Sequence, residues 1–205
     1  MTRNFNNFNS MYLDVLKEIG NIGCGNAVTS LAKMINRKIQ MEVPKVKILD
    51  FKEVSDVLGS ADEPVVGIML NVHGSITGSI LFILDIKHAR MLVNMLMGYN
   101  NRIGAAFDEI ELSALKEMGN ILASSYLSAL SELTKIQVIP SVPDISIDMA
   151  GAILSVPAIG FGKLGDSVLY IETEFYEDCT KVVGDFFLVP ELESYDVLLK
   201  ALGVV

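Results

Sequence analysis

Leu13-Asp-Val-Leu-Lys-Glu-Ile-Gly-Asn-Ile22 returns 99 residues later as Leu112-Ser-Ala-Leu-Lys-Glu-Met-Gly-Asn-Ile121. The correspondence runs without a gap to Val43-Pro44 against Val142-Pro143, with ten identities over 32 aligned positions. Part of what repeats is apolar: Leu13, Leu16 and Leu31 match Leu112, Leu115 and Leu130 at helical spacing, as a duplicated core requires. Glu18 with Asn21, and Glu117 with Asn120, repeat as well. A hydrophobic core does not need them, and their retention in both copies points to a site present twice.

Outward from the repeat, each copy reads as the same series of elements. A long helix starts at Ser10 and runs to about Arg37, and its counterpart starts at Asp108 and runs to about Thr134. The second start is the clearer, because Asp108 with Glu111 three residues on forms a capping-box variant. After each helix comes a proline and an alternating strand, Lys45 to Leu49 and Asp144 to Asp148. A short segment follows, Lys52 to Leu58 as a helical turn and Met149 to Val156 in the equivalent place.

Two strands come next in each copy, Val65 to Asn71 with Ile80 to Leu84, and Val168 to Glu174 with Asp185 to Val189. Val72 to Gly78 reads as a hairpin loop, with His73 at the turn. Each copy closes with a helix stopped by glycine, Ile86 to Met97 before Gly98 and Glu191 to Leu202 before Gly203. The tail offset is 105, so the second copy carries extra residues. The expected fold class is α+β: a pseudo-two-fold duplicated unit with long helices packed on a mainly antiparallel sheet. The expected organisation is one domain, residues 1–205, made of repeats at about 10–100 and 107–205.

Composition excludes several functions. A net charge of −9 argues against nucleic acid, which needs clustered Lys and Arg. The longest uncharged stretch, Met149 to Gly162, is broken by Gly151, Pro157 and Gly160, so no membrane insertion is expected. The start of the chain is Asn-rich and lacks a signal-peptide core, which reads as cytoplasmic. Two cysteines, Cys24 and Cys179, and two histidines, His73 and His88, give no metal set and no catalytic base. Both thiols read as free and buried. Gly160 to Gly165 matches a dinucleotide-binding pattern, but a strand rather than a helix follows, so it reads as a loop. Met91, Met95 and Met97 read as core filler.

Residues three apart on a helix project about 60° apart around the axis. Glu18 and Asn21 therefore share a face, as do Glu117 and Asn120, with Asp14 and Ser113 one turn earlier. A carboxamide supplies a donor and an acceptor and can aim a water without titrating. A neighbouring carboxylate can anchor a cation on a partner. Neither is a strong nucleophile, so any catalysis here is positioning on an already reactive substrate, as when a glutamine orients water for attack on phosphorus. The bland reading is a solvated helix face. Gly20, Gly23 and Gly25 weaken the first helix, and they admit the close approach either of a partner or of a neighbouring helix.

The doubled (Asp or Ser)-x-x-x-Glu-x-x-Asn pattern resembles the CheC/CheX/FliY phosphatases of bacterial and archaeal chemotaxis. Asp148-Met-Ala-Gly-Ala-Ile-Leu-Ser155 and Ile171-Glu-Thr-Glu-Phe175 are similar to that family too. The resemblance implies hydrolysis of the aspartyl phosphate of the response regulator CheY, within a pseudo-two-fold fold. It casts Asn21 and Asn120 as orienting the attacking water and Glu18 and Glu117 as pairing with a lysine of the regulator. Asp14 and Ser113 take a supporting role. No cofactor of its own is implied, since Mg²⁺ comes with the regulator. The receptor deamidase CheD is the second partner implied, and the protein is expected to be a monomer. A non-catalytic module that captures CheD or phosphorylated CheY is the alternative.

Overall fold

The computed structural model describes residues 10–50, 53–99, 102–104, 106–160, 167–177 and 179–203. The long helices are α1 (Ser10–Ile35) and, in the second copy, α4 (Glu109–Thr134). The expected series is otherwise reproduced: β1 (Gln40–Asp50), α2 (Val54–Val57), β2 (Pro64–Gly74), β3 (Gly78–Asp85) and α3 (Ile86–Met97) follow α1. After α4 come β4 (Val138–Pro140), β5 (Asp144–Met149), α5 (Ala150–Gly160), β6 (Ser167–Glu177), β7 (Thr180–Pro190) and α6 (Leu192–Ala201). Gly98 and Gly203 end α3 and α6 with φ of 68° and 74°, a backbone state that glycine adopts without strain.

Differences from the expected elements have local causes. β1 starts five residues earlier than the alternation after Pro44 suggests, because a bulge between Glu42 and Lys45 carries the strand through the proline. In the second copy the same stretch is interrupted, giving β4, which sequence alone did not indicate, and β5. Strand β2 runs to Gly74, so His73 is an exposed strand residue paired with Ile139 and the turn shrinks to Ser75–Thr77. Cys24 is buried as expected, but Cys179 is exposed, because it sits in the tight turn between β6 and β7. The glycine-rich stretch between Gly160 and Gly165 lies, beyond Gly160 itself, outside the described residues.

All sheet pairings are antiparallel, in the order β1-β6-β7-β3-β2-β4, with β5 also on β2. The order reveals an exchange. The first strand of each copy pairs not with its own hairpin but with the other's: β1 on β6, and β4 with β5 on β2. The registers agree rung by rung, Met41↔Phe175 corresponding to Pro140↔Val72, and Val66↔Leu84 to Leu169↔Leu188. The pseudo-dyad crosses the sheet at the Phe82↔Phe186 rung, which these equivalences map onto itself. The tail offset of 105 is thus reached in steps, from 99 through β5 to 103 on β6 and 104 on β7.

β3 is buried on both faces from Gly78 to Leu84, which is why Ile80 to Leu84 is an unbroken apolar run. Ile80, Phe82 and Leu84 face the core under α1, α3 and α4, while Leu81 and Ile83 face a smaller core under α2 and α5. Met95 is buried and Met91 and Met97 pack against the larger core, as filler. The start of α4 is fixed by the expected capping box. Asp108 accepts from the Glu111 N–H at 2.9 Å, and Glu111 accepts from the Asp108 N–H at 3.0 Å. The other oxygen of the fully buried Glu111 accepts from Arg90 and Arg102 at 2.8 and 2.9 Å.

Candidate functional site

The apolar stripes of the long helices point inward. Leu16 and Ile19 on α1, and Leu115 and Met118 on α4, are buried in one core. That orientation forces the polar stripe outward. Asp14, Glu18 and Asn21 are all exposed, as are Ser113 and Glu117, while Asn120 is half-buried. Among the described residues, none of the four Glu and Asn side chains is tied up in a hydrogen bond or an ion pair. Each copy therefore presents a free carboxylate beside a free carboxamide, brought together within a copy by helix pitch alone. This is a poor arrangement for stability and a good one for receiving a partner.

The glycines inside the helices set how close the stripes come to the rest of the fold. A Cβ on Gly23 would lie 2.9 Å from the Tyr126 Cα, so this glycine lets α1 and α4 meet backbone to backbone. Gly20 faces Val43, and Gly119 faces Ile68 at 2.7 Å from a would-be Cβ, so both serve packing against the sheet. Gly25 alone of these faces open space. Cys24, on the buried side of α1, is not a nucleophile in waiting: burial, with Glu42 adding to it, pushes its thiol up to about 11.

The two copies differ in what stands opposite the stripe. In the second copy, Leu112, Ser113, Lys116, Glu117 and Asn120 form one wall of an open groove of about 680 Å³. Pro140, Ser141, Val142 and Pro143 form the other wall. Ser141 exchanges two hydrogen bonds with Asn71, donating its N–H to the carbonyl at 2.8 Å and accepting the Asn71 N–H on its hydroxyl at 2.9 Å. This pins the loop to β2 and leaves Val142 82% exposed. In the first copy the matching valine, Val43, is 7% exposed and lies on Gly20.

Sequence reasoning named the helix stripe but missed this second wall. Its signal was present in the Val-Pro pair that ends the repeat. The direction in which each valine points was not, because it depends on whether the strand around it is continuous. Among the described residues no group of three His, Cys, Asp or Glu is placed to hold a metal ion, and no helix is long and apolar enough to cross a membrane.

Comparison with known proteins converges on one family. The model of the CheC-like family matches residues 11–48 and 110–147, the helix and first strand of each copy. The chain is 38% identical over 205 residues to a Bacillus subtilis protein named CheY-P phosphatase CheC, covering 97% of both. It is 28% identical over 139 residues to the flagellar motor switch phosphatase FliY of the same organism, covering 67% of this chain and 36% of that one. The X-ray structure of Thermotoga maritima FliY superposes with a TM-score of 0.74 at 25% identity, covering 96% of this chain and 98% of that one.

Proposed function

The chain belongs to the CheC-like family, and from that premise we propose that it is a protein phosphatase for the aspartyl phosphate of the response regulator CheY. The observation that carries the proposal is the free Glu and Asn pair on equivalent turns of both long helices, exposed in all but the half-buried Asn120. In this reading Asn21 and Asn120 enter the regulator's phosphorylation site and orient a water in line with the phosphorus. The carboxamide holds the water through donor and acceptor together and needs no change of protonation. Glu18 and Glu117 pair with a lysine of the regulator and so fix where the neighbouring carboxamide lands. Asp14 and Ser113, one turn earlier, border that contact. The Mg²⁺ that neutralises the phosphoryl oxygens belongs to the regulator, and this chain brings no cofactor.

The mechanism is positioning and electrostatics rather than covalent catalysis, which suits an acyl phosphate that is already labile. The two copies act as one folding unit, each lending its first strand to the other's hairpin, and as a cytoplasmic monomer. Binding of the deamidase CheD is part of the same proposal and rests on the family resemblance.

Dephosphorylation of phospho-CheY by wild type, Asn21→Ala, Asn120→Ala and the double variant tests this, with circular dichroism as the folding check. The folded double variant is expected to lose activity by about 100-fold, the usual scale for one lost positioning group at each centre. A double variant that works at the wild-type rate removes the proposal.

A further inference from the structure

We infer that Val142 is a specificity-determining contact for the phosphorylated regulator, and that it serves the second site only. The inference rests on the phosphatase reading and adds to it the residue that grips the substrate protein beside Asn120. A single exposed valine is ordinary and by itself needs no explanation. Val142 differs in being the repeat partner of a residue the fold buries. Val43 and Val142 hold the same place after the same helix and before the same proline, yet one is 7% exposed and the other 82%.

The structure maintains that difference actively. In the first copy β1 continues through its bulge, and Val43 closes onto the flat surface of Gly20. In the second, Pro140 stands where Met41 stood, and the chain leaves the strand between Pro140 and Asp144. Two prolines restrict the backbone on either side of the loop. The Ser141–Asn71 hydrogen bonds then clamp it to the sheet edge, and the Ser141 hydroxyl donates to the Val142 carbonyl at 2.9 Å. An apolar side chain is thus held rigidly in water, on the lip of the groove that contains Glu117 and Asn120.

The chemistry of that groove selects the occupant. Lys116 and Glu117 meet charged groups, Asn120 meets the water and the phosphoryl group, and the Pro140–Val142–Pro143 lip offers an apolar shelf. A free phosphate or a small acyl phosphate reaches the carboxamide without touching the lip. A folded protein that brings its phosphoryl group to Asn120 covers both. Val142 therefore acts on recognition of the protein and leaves the chemical step alone. Since the loop is already ordered, covering the valine requires no ordering of the backbone.

The test isolates each site in turn. In the Asn21→Ala background, where the second site alone works, Val142→Ser is expected to raise KM for phospho-CheY about five- to tenfold with kcat within twofold. Val142→Ile restores KM. In the Asn120→Ala background, where the first site alone works, Val142→Ser leaves both constants unchanged, which a general loss of structure would not. An unchanged KM in the first background, or an equal rise in both, overturns the inference. Titration of the single-site proteins with beryllofluoride-activated CheY and Mg²⁺ separates the two levels. If the Asn variants lose turnover but Val142→Ser binds as tightly as its parent, only the inference on Val142 falls. If the wild type neither binds nor dephosphorylates the regulator, the phosphatase reading falls and takes it along.

Discussion

The first and second copies of the helix stripe are built from the same residue types at the same spacing, yet they open onto different surroundings. Around Asn21 the facing strand is continuous and its valine is folded away beside a stripe that also carries Asp14. Around Asn120 the facing strand is broken, its valine projects, and a serine replaces the aspartate. The far side of the sheet shows the same divergence. Gly67 of β2 leaves room for Ile153, so that α5 lies directly on the strand. At the equivalent rung of the second hairpin stands Tyr170, with its ring 5.2 Å from that of Phe187 and its hydroxyl shared between Asp185 and Glu172. Duplication supplied a symmetric frame. Small residues and prolines then decided, place by place, how far a neighbour could approach.

The largest effect expected from disturbing this comparison lies at the start of α4, where the second copy has an ionic lock. Glu111 is fully buried and holds Arg90, itself buried and stacked 3.9 Å over Phe107, together with Arg102. Glu111→Ala removes the buried carboxylate that Arg90 and Arg102 share and opens the capping box. A loss of about 3–5 kcal/mol in urea unfolding is expected, against the roughly 1 kcal/mol of removing an ordinary cap. Glu111→Gln, which keeps the shape and one acceptor, falls between. A Glu111→Ala loss near 1 kcal/mol would show that the cap alone mattered and that the lock does not set the second helix apart.

How much of this was legible beforehand follows from what local sequence encodes. The long helices, the ends of α4 at Thr134 and of α3 at Met97, and the capping box were readable because periodicity, caps and glycine stops act over a few residues. The outward Glu and Asn pairs followed from helix geometry for the same reason. The exchange of β1 and β5 between hairpins was not readable, since a strand's sequence fixes which face is apolar but not which neighbour it joins. Cys179 was assigned to the interior on residue type, and a two-strand turn put it outside. The opposite fates of Val43 and Val142 escaped for a related reason: both sit in Val-Pro, and only Pro140, three residues before Pro143, hinted that the second strand would break.

A medium effect is expected on the outer face of the sheet, where Asp185 replaces what is Leu81 at the equivalent rung. Burial raises its carboxyl to about 6, with nearby Glu172 and Asp85 adding to the shift while the Tyr170 hydroxyl and His88 oppose it. The folded protein therefore holds this proton more tightly than the unfolded chain. Between the unfolded value of 3.8 and about 6, rising pH strips the proton from the unfolded chain first and stability falls. Below that window the group is neutral in both states, and above it the full penalty of a buried carboxylate applies. Asp185→Asn, which keeps an acceptor for Tyr170, removes the titration. Relative to the variant, wild type should lose about 2 kcal/mol between pH 4 and pH 7, at about 1.4 kcal/mol per unit of pKa. Parallel stability curves for the two proteins would mean that the polar face carries no strain that its apolar twin lacks.

The smallest effect concerns activity and asks whether the two stripes are equal. An anionic phosphoryl site approaching the first stripe meets the Asp14 carboxylate, whereas at the second it meets the Ser113 hydroxyl. Both positions are exposed, so one charge amounts to less than about 1 kcal/mol, a few-fold in rate. The groove and its apolar lip push the same way. Asn120→Ala should therefore remove more than half of the wild-type kcat/KM for phospho-CheY, and Asn21→Ala less than half. Exchanging the residue sharpens this: Asp14→Ser in the Asn120→Ala background should raise first-site activity about two- to fourfold. That gain should shrink as salt is raised, because it comes from an exposed charge. Equal losses from the two Asn substitutions, with no gain from Asp14→Ser, would mean that the shared Glu-x-x-Asn geometry sets the rate and that the walls around it do not.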